Sequence, residues 1–184
     1  MKFYIKFVSF LGLTSLVLSL AGCAQHKSAP STPTQKQQRA SIENKLNAAN
    51  VMVIKVANSV KIVFQTSNVF YPGTADIMPN AATSIDLAAQ YINTFTTGTV
   101  KIFAYCDNYV ITKSLAKHKQ WLTNKQASAI LNALWDRKIK ASIAYASGKS
   151  FHSAVAWNGT EAGRNMNKRV EISFITYPTK NKYN

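Results

Sequence analysis

The stretch Gly159-Thr160-Glu161-Ala162-Gly163-Arg164-Asn165-Met166-Asn167-Lys168-Arg169-Val170-Glu171-Ile172 runs from a loop into the start of a strand without a break. Residues 170–175, Val-Glu-Ile-Ser-Phe-Ile, carry the last strand signal of the chain, and residues 141–146 carry another before it. Further back, Ala127, Ile130, Leu131 and Leu134 fall on one helical stripe. Thr123-Asn124-Lys125-Gln126 precedes that stripe and fits a capping box, in which the Thr hydroxyl accepts from an amide and the Gln side chain reaches back. Residues 99–105 alternate Val100, Ile102 and Ala104 against Lys101, Phe103 and Tyr105, the period of a strand. Asn80 opens an amphipathic helix with Ala81, Ile85, Ala88 and Ile92 on one face. Two β-rich runs, 51–56 and 60–65, flank Ala57-Asn58-Ser59 and predict a hairpin; Phe70-Tyr71-Pro72-Gly73-Thr74 then supplies turn chemistry. Ile42, Leu46 and Ala49 behind Ser41 fit a short helix. Strands alternating with two helices after a leading hairpin predict an α/β two-layer sandwich: one mixed sheet with helices packed on one face.

The N-terminus reads differently. Lys2 and Lys6 precede an apolar run over residues 7–20, and Leu20-Ala21-Gly22-Cys23 follows. A charged start, a short apolar run and small residues make a secretory signal peptide rather than a structural helix. The small pair before Cys resembles the lipobox of bacterial lipoproteins. That resemblance implies that residues 1–22 are removed and that Cys23 becomes a lipidated N-terminus, its acyl chains (palmitate among them) seated in outer-membrane lipid. Each buried CH₂ contributes ~0.8 kcal/mol, so two or three chains anchor stably where one would not. Ala24, in place of the Asp that lipoproteins kept at the inner membrane usually carry, points to the outer membrane, with the protein facing the periplasm. Residues 24–40 hold no large apolar side chain and predict a flexible tether. The domain reading is therefore signal peptide 1–22, lipidated Cys and tether 23–45, folded head 46–178 and tail 179–184.

Composition narrows the partners. The 184-residue chain carries 22 Lys and Arg against 7 Asp and Glu, a formal charge of +15. Such a balance favours an anionic partner: acidic headgroups, peptidoglycan carboxylates or an acidic protein face. The cations are scattered rather than clustered, which also fits a merely solvated surface, and nucleic acid does not suit a lipidated periplasmic protein. With Cys23 lipidated, Cys106 has no partner in the chain; it reads as a small buried hydrophobe or as one half of an intermolecular disulfide. His26, His118 and His152 are too dispersed for a metal site, the acids form no close pair, and Ser150-Phe151-His152-Ser153 lacks an orienting acid. Neither an enzyme, a metal nor a cofactor is expected.

Three signatures in order resemble the OmpA-like (peptidoglycan-associated) domain across roughly residues 50–176. The 159–172 stretch is similar to the family's Gly-Arg-x-x-Asn-Arg-Arg-Val-Glu-Ile ending. Phe70-Tyr71-Pro72-Gly73-Thr74-Ala75-Asp76-Ile77 is similar to its aromatic-x-Pro-Gly-Ser-Ala-x-Leu run, and Ile102-Phe103-Ala104-Tyr105-Cys106-Asp107 to its strand ending in Thr-Asp. The resemblance implies a non-catalytic head that grips the diaminopimelate of peptidoglycan stem peptides with an Asp and an Arg. The chemistry is a zwitterion clamp: the Asp carboxylate takes the ligand's ammonium and the Arg fork pairs with its carboxylate.

Carried onto this chain, Asp107 takes the Asp position, with an Asx-turn at the strand end as its alternative. Asn108 follows it, and Thr123 and Gln126 stand in the helix run; Gln126 replaces the Arg. Asn167 and Arg169 come from the last signature. The connection from Asp107 to Gln126 is longer than the family's, which places Lys113, Lys117, His118 and Lys119 in a lengthened loop near the site. Loss of the guanidinium predicts weak or absent diaminopimelate binding. Two functions follow: a head that binds peptidoglycan and anchors an envelope structure to the wall, or a protein-interaction subunit with a degenerate pocket. A small lipoprotein of the second kind resembles the accessory lipoproteins of type IV (Dot/Icm) secretion outer-membrane complexes. Tyr109, Trp121 and Trp157 suit such an interface if they lie on the surface, and a core if they do not.

Overall fold

A tight hairpin begins the sheet: β1 (Met52–Val56) and β2 (Ser59–Gln65) run antiparallel about Ala57, whose φ of 52° is left-handed. The computed structural model describes residues 34–109 and 112–177. β5 (Arg169–Tyr177) pairs antiparallel with β2 on one side and with β3 (Thr96–Tyr105) on the other, so the last strand among the described residues lies in the middle of the sheet. β4 (Ala141–Ser150) runs parallel to β3, and the order across the five strands is β1-β2-β5-β3-β4. A parallel pair needs a long crossover. Here it is α3 (Lys113–Asp136), while α2 (Ala82–Asn93) joins β2 to β3 and α4 (Glu161–Asn167) leads into β5.

Alternation sorts the sheet into two faces. Val60, Ile62 and Phe64 of β2, with Val170, Ile172 and Phe174 of β5, are buried beneath the helices, as are Val100, Ile102 and Ala104 of β3. From above, α2 adds Ile85, Ala88 and Ile92, and α3 adds Ala127, Ile130 and Leu134. Each large apolar side chain so buried contributes roughly 1.5–3 kcal/mol. The opposite face is left open by α1–α3, with Met166 of α4 bordering it, and carries exposed aliphatic and aromatic side chains among lysines. The two-layer arrangement, the hairpin, the amphipathic α2 and the mixed sheet agree with the sequence reading.

Two expectations are corrected. Residues 35–45, read as tether, belong to α1 (Gln35–Ala48), which packs against α2 and β1. Its start is a capping box: Gln37 N–H donates to the Thr34 hydroxyl and Thr34 N–H to Gln37 Oε1. Good helix formers then carry the chain to Ile42 and Leu46, which are buried, whereas Ala49 caps the helix and is exposed. Arg39 holds α1 down by donating to the Thr94 carbonyl and lying 4.0 Å over the Phe95 ring. A helix pinned by one cation and two aliphatics shows little apolar pattern. The leader, Cys23 and residues 178–184 lie outside the described residues.

The second correction concerns α3. Its N-cap is Thr112, which accepts from Leu115 N–H at 3.2 Å, so Thr123-Gln126 is no capping box but mid-helix. Lys113, Lys117, His118 and Lys119 therefore sit on extra helical turns rather than on a loop. Those turns bury no residue before Thr123, and a solvated helix leaves no hydrophobic period to read.

Candidate functional site

The end of β3 assembles the site. Beyond Tyr105 the chain leaves the sheet with Cys106 N–H still donating to the Ser150 carbonyl at 2.7 Å, which delivers Asp107 between α3 and α4. Tyr109 N–H donates to Asp107 Oδ1 at 3.3 Å, an Asx-turn. The same oxygen accepts from Lys119 Nζ at 2.6 Å, and Lys168 Nζ stands 4.0 Å from Oδ2. Lys119 also donates to the carbonyls of Asp107 (2.9 Å) and Tyr109 (3.2 Å). An ammonium has three protons, and all of these have acceptors here. The Asp107 and Lys119 side chains are only 15% and 14% exposed.

What places Lys119 is the seating of α3 on β4. Gln120 Nε2 donates to the Gly148 carbonyl (2.8 Å), and Gly148 N–H donates to Asn124 Oδ1 (2.7 Å). A Cβ on Gly148 would lie 2.3 Å from the Asn124 nitrogen, so only glycine permits this approach. Thr123 adds a third contact: its hydroxyl donates to the Lys119 carbonyl (2.9 Å) and accepts from Ser150 N–H (3.3 Å).

Gln126, at the position of the family's Arg, is buried and donates through Nε2 to the Thr74 carbonyl at 2.8 Å. It thereby pins the Tyr71-Pro72-Gly73-Thr74 turn, in which Thr74 N–H reaches the Tyr71 carbonyl and Gly73 has a φ of 74°. Beside that turn opens a cavity of about 430 Å³ lined by Phe70, Tyr71, Pro72, Met78, Asn165 and Lys168. Lys168 thus joins the cavity to Asp107.

The remaining candidates serve the fold. Asn167 is fully buried; its Oδ1 accepts from Val155 and Ala156 N–H, and its Nδ2 donates to the Ala156 carbonyl and Asn158 Oδ1. Arg169 is 4% exposed, bonded to Glu171, to the Ser153 carbonyl and to the Asn167 carbonyl, with its guanidinium 4.0 Å over the Tyr105 ring. Asn108 contributes its N–H, donated to Asn158 Oδ1 at 3.3 Å. Of the two residues predicted to form the clamp, Asp107 is engaged by Lys119 and Gln126 by the Thr74 carbonyl. Lys119, expected on a loop, reaches Asp107 because α3 extends back past it, and Lys168 arrives from the end of α4. Burial pushes the half-buried Cys106 thiol up, which keeps it protonated beside Ser150 Oγ at 3.8 Å. Tyr109, Trp121 and Trp157 are exposed, Trp157 by 76%, so all three are surface residues.

Comparison with known proteins places this geometry. No curated protein matches the sequence. Among solved structures, the cell wall anchor of the T6SS from Pseudomonas aeruginosa is similar, with a TM-score of 0.67 at 19% identity, over 78% of this chain and 100% of that one. A MotB-like protein from Desulfovibrio vulgaris gives 0.65 at 15% identity over 78% and 94%. The periplasmic domain of Helicobacter pylori MotB gives 0.58 at 17% over 71% and 84%. At such identities the likeness is one of fold. The sequence profile of the OmpA family matches residues 69–168, which span the turn beside the cavity, Asp107, α3 and Lys168, and the chain belongs to the OmpA family.

Proposed function

We propose that this chain is a lipid-anchored envelope protein, facing the periplasm from the outer membrane, whose OmpA-type head works through protein contacts because its diaminopimelate clamp is held shut by Lys119. The carrying observation is the saturated Lys119 ammonium on Asp107. It stands where a ligand's ammonium would pair with the carboxylate, and it leaves no proton for a ligand's carboxylate. Gln126, tied to Thr74, supplies no charge in its place. A charge-assisted contact of about 2 kcal/mol corresponds to roughly 30-fold, and a competing ligand loses that factor when it must displace the tethered lysine.

Retention on purified peptidoglycan sacculi tests the reading. The wild-type chain is expected in the supernatant, and a Lys119→Met/Gln126→Arg variant in the pellet, in a manner abolished by adding Asp107→Ala. Wild-type retention lost with Asp107→Ala alone would overturn it and restore the role of wall anchor, which the likeness to a cell wall anchor supports. Lipidation is tested separately: labelled palmitate is expected to enter the wild-type chain and not Cys23→Ser.

A further inference from the structure

The face of the sheet away from α1–α3 bears an unusual load of exposed apolar side chains. On β1, Met52, Ile54 and Val56 all point to it, Val56 being 68% exposed. By strand alternation Ile143 (60% exposed) and Tyr145 of β4, and Ile175 and Tyr177 of β5, share that face. By register they form two apolar bands, Met52, Ile54 and Val56 along β1 and Ile143, Tyr145, Ile175 and Tyr177 towards β4, with Lys61, Ser173 and Lys101 between them. Exposed apolar bands rimmed by polar residues mark an interaction site.

The surface is concave in two places. A groove of about 220 Å³ runs between β1 and a bank made by Val155 and Met166, with Val63 beneath it. A second hollow of about 290 Å³ lies over Ser59, Thr99, Lys101 and Ile175. Lys61, Lys101, Lys149 and Arg169 punctuate this face, whereas Glu171 is its one acid among the described residues. Glu171 is already paired with Lys61 (2.8 Å) and Arg169 (2.8 Å). Lys101 has no acid within reach among the described residues, and Lys149 lies 4.5 Å over the Phe103 ring. The uncompensated charge on the face is therefore positive.

Those features select the occupant. A second copy of a chain of formal charge +15 would set lysine against lysine. A bilayer surface meets protruding side chains and does not enter grooves. The hollows and free cations match a helix with an apolar stripe and carboxylates along its margin. The outer strands stand about 19 Å apart, and a helix with its side chains is about 10 Å across, so one helix covers the groove and leaves the lysines at its edge. We propose that the open sheet face docks an acidic amphipathic helix of another envelope protein, seated between β1 and Val155/Met166 with its carboxylates on Lys101 and Lys149. This gives the interaction role proposed above a place on the molecule, and it stands whether or not the cleft is closed.

Photo-crosslinking of the full chain in cells tests it, with a benzophenone amino acid at Ile54 or Tyr145 and, as control, at Asn132 on exposed α3 surface. The expected result is one protein captured from both face positions and not from Asn132, the crosslinked segment carrying Asp or Glu at helical spacing beside an apolar stripe. Lys101→Glu/Lys149→Glu should cut that yield at least tenfold without moving the thermal midpoint or sacculus retention. Crosslinks to phospholipid, to a second copy, to this chain's own termini, to a segment lacking carboxylates, or to nothing would each overturn the proposal. Sacculus retention reads only the cleft, so failure of either proposal is visible without the other.

Discussion

Two carboxylates in this molecule each meet two cations, and they do different work. Glu171 lies within β5, 8% exposed at its side chain, with Arg169 two residues away on the same face and Lys61 across the strand pair. Asp107 lies past the end of β3 and takes Lys119 from α3 and Lys168 from beyond α4. In the first arrangement strand register sets the buried Arg169 beside Glu171, and Lys61 adds a half-exposed contact from β2. The second depends on a long flexible side chain reaching down from a neighbouring helix, and rotation of lysine torsions opens it. A buried pair in register supports stability; the pair at the strand end is the one through which the proposed function acts.

The comparison can be broken at its firm side first. Glu171→Gln leaves the Arg169 guanidinium buried without a counter-charge and is expected to cost about 3–5 kcal/mol, read from urea unfolding. Acid should act on the same group. Burial raises the Glu171 carboxyl, but bonds from Lys61 and Arg169 outweigh it and hold the carboxyl below its ordinary value. A folded-state value lower than the unfolded one makes its stabilisation complete above the unfolded value of about 4.3 and lost as pH falls through the folded one. The urea midpoint should therefore drop below about pH 4, and Glu171→Gln should flatten that part of the profile. Gly148→Ala comes next: a methyl driven against the Asn124 backbone should cost about 1–3 kcal/mol and shift α3 from β4, read by thermal melting and by altered amide signals at Lys119.

At the soft side the effects on stability are smaller. Lys119→Met is expected to cost about 1–2 kcal/mol while freeing Asp107 for an external ammonium, a change seen in sacculus binding rather than in the melt. Lys168→Ala, removing a half-exposed cation 4.0 Å away, should shift stability by less than about 0.5 kcal/mol. If Lys168→Ala proved as costly as Glu171→Gln, the distinction between the two carboxylates would fail.

What could be read without the structure was whatever repeats along the chain. Val60, Ile62 and Phe64 against Lys61 and Gln65, the α2 stripe and the Pro72-Gly73 turn are local patterns, because periodic burial forces periodic hydrophobicity. The two-layer sheet and the position of Asp107 at a strand end followed from them. Stretches held by polar contacts left no such trace: the first turns of α1, held by Arg39, and the front of α3, held by Gln120 and Asn124 on Gly148. So it was tertiary structure that decided how Asp107 is used. The partner of a carboxylate depends on which distant side chain arrives within 3 Å, and the twelve positions separating Lys119 from Asp107 carry no period from which that arrival could be read.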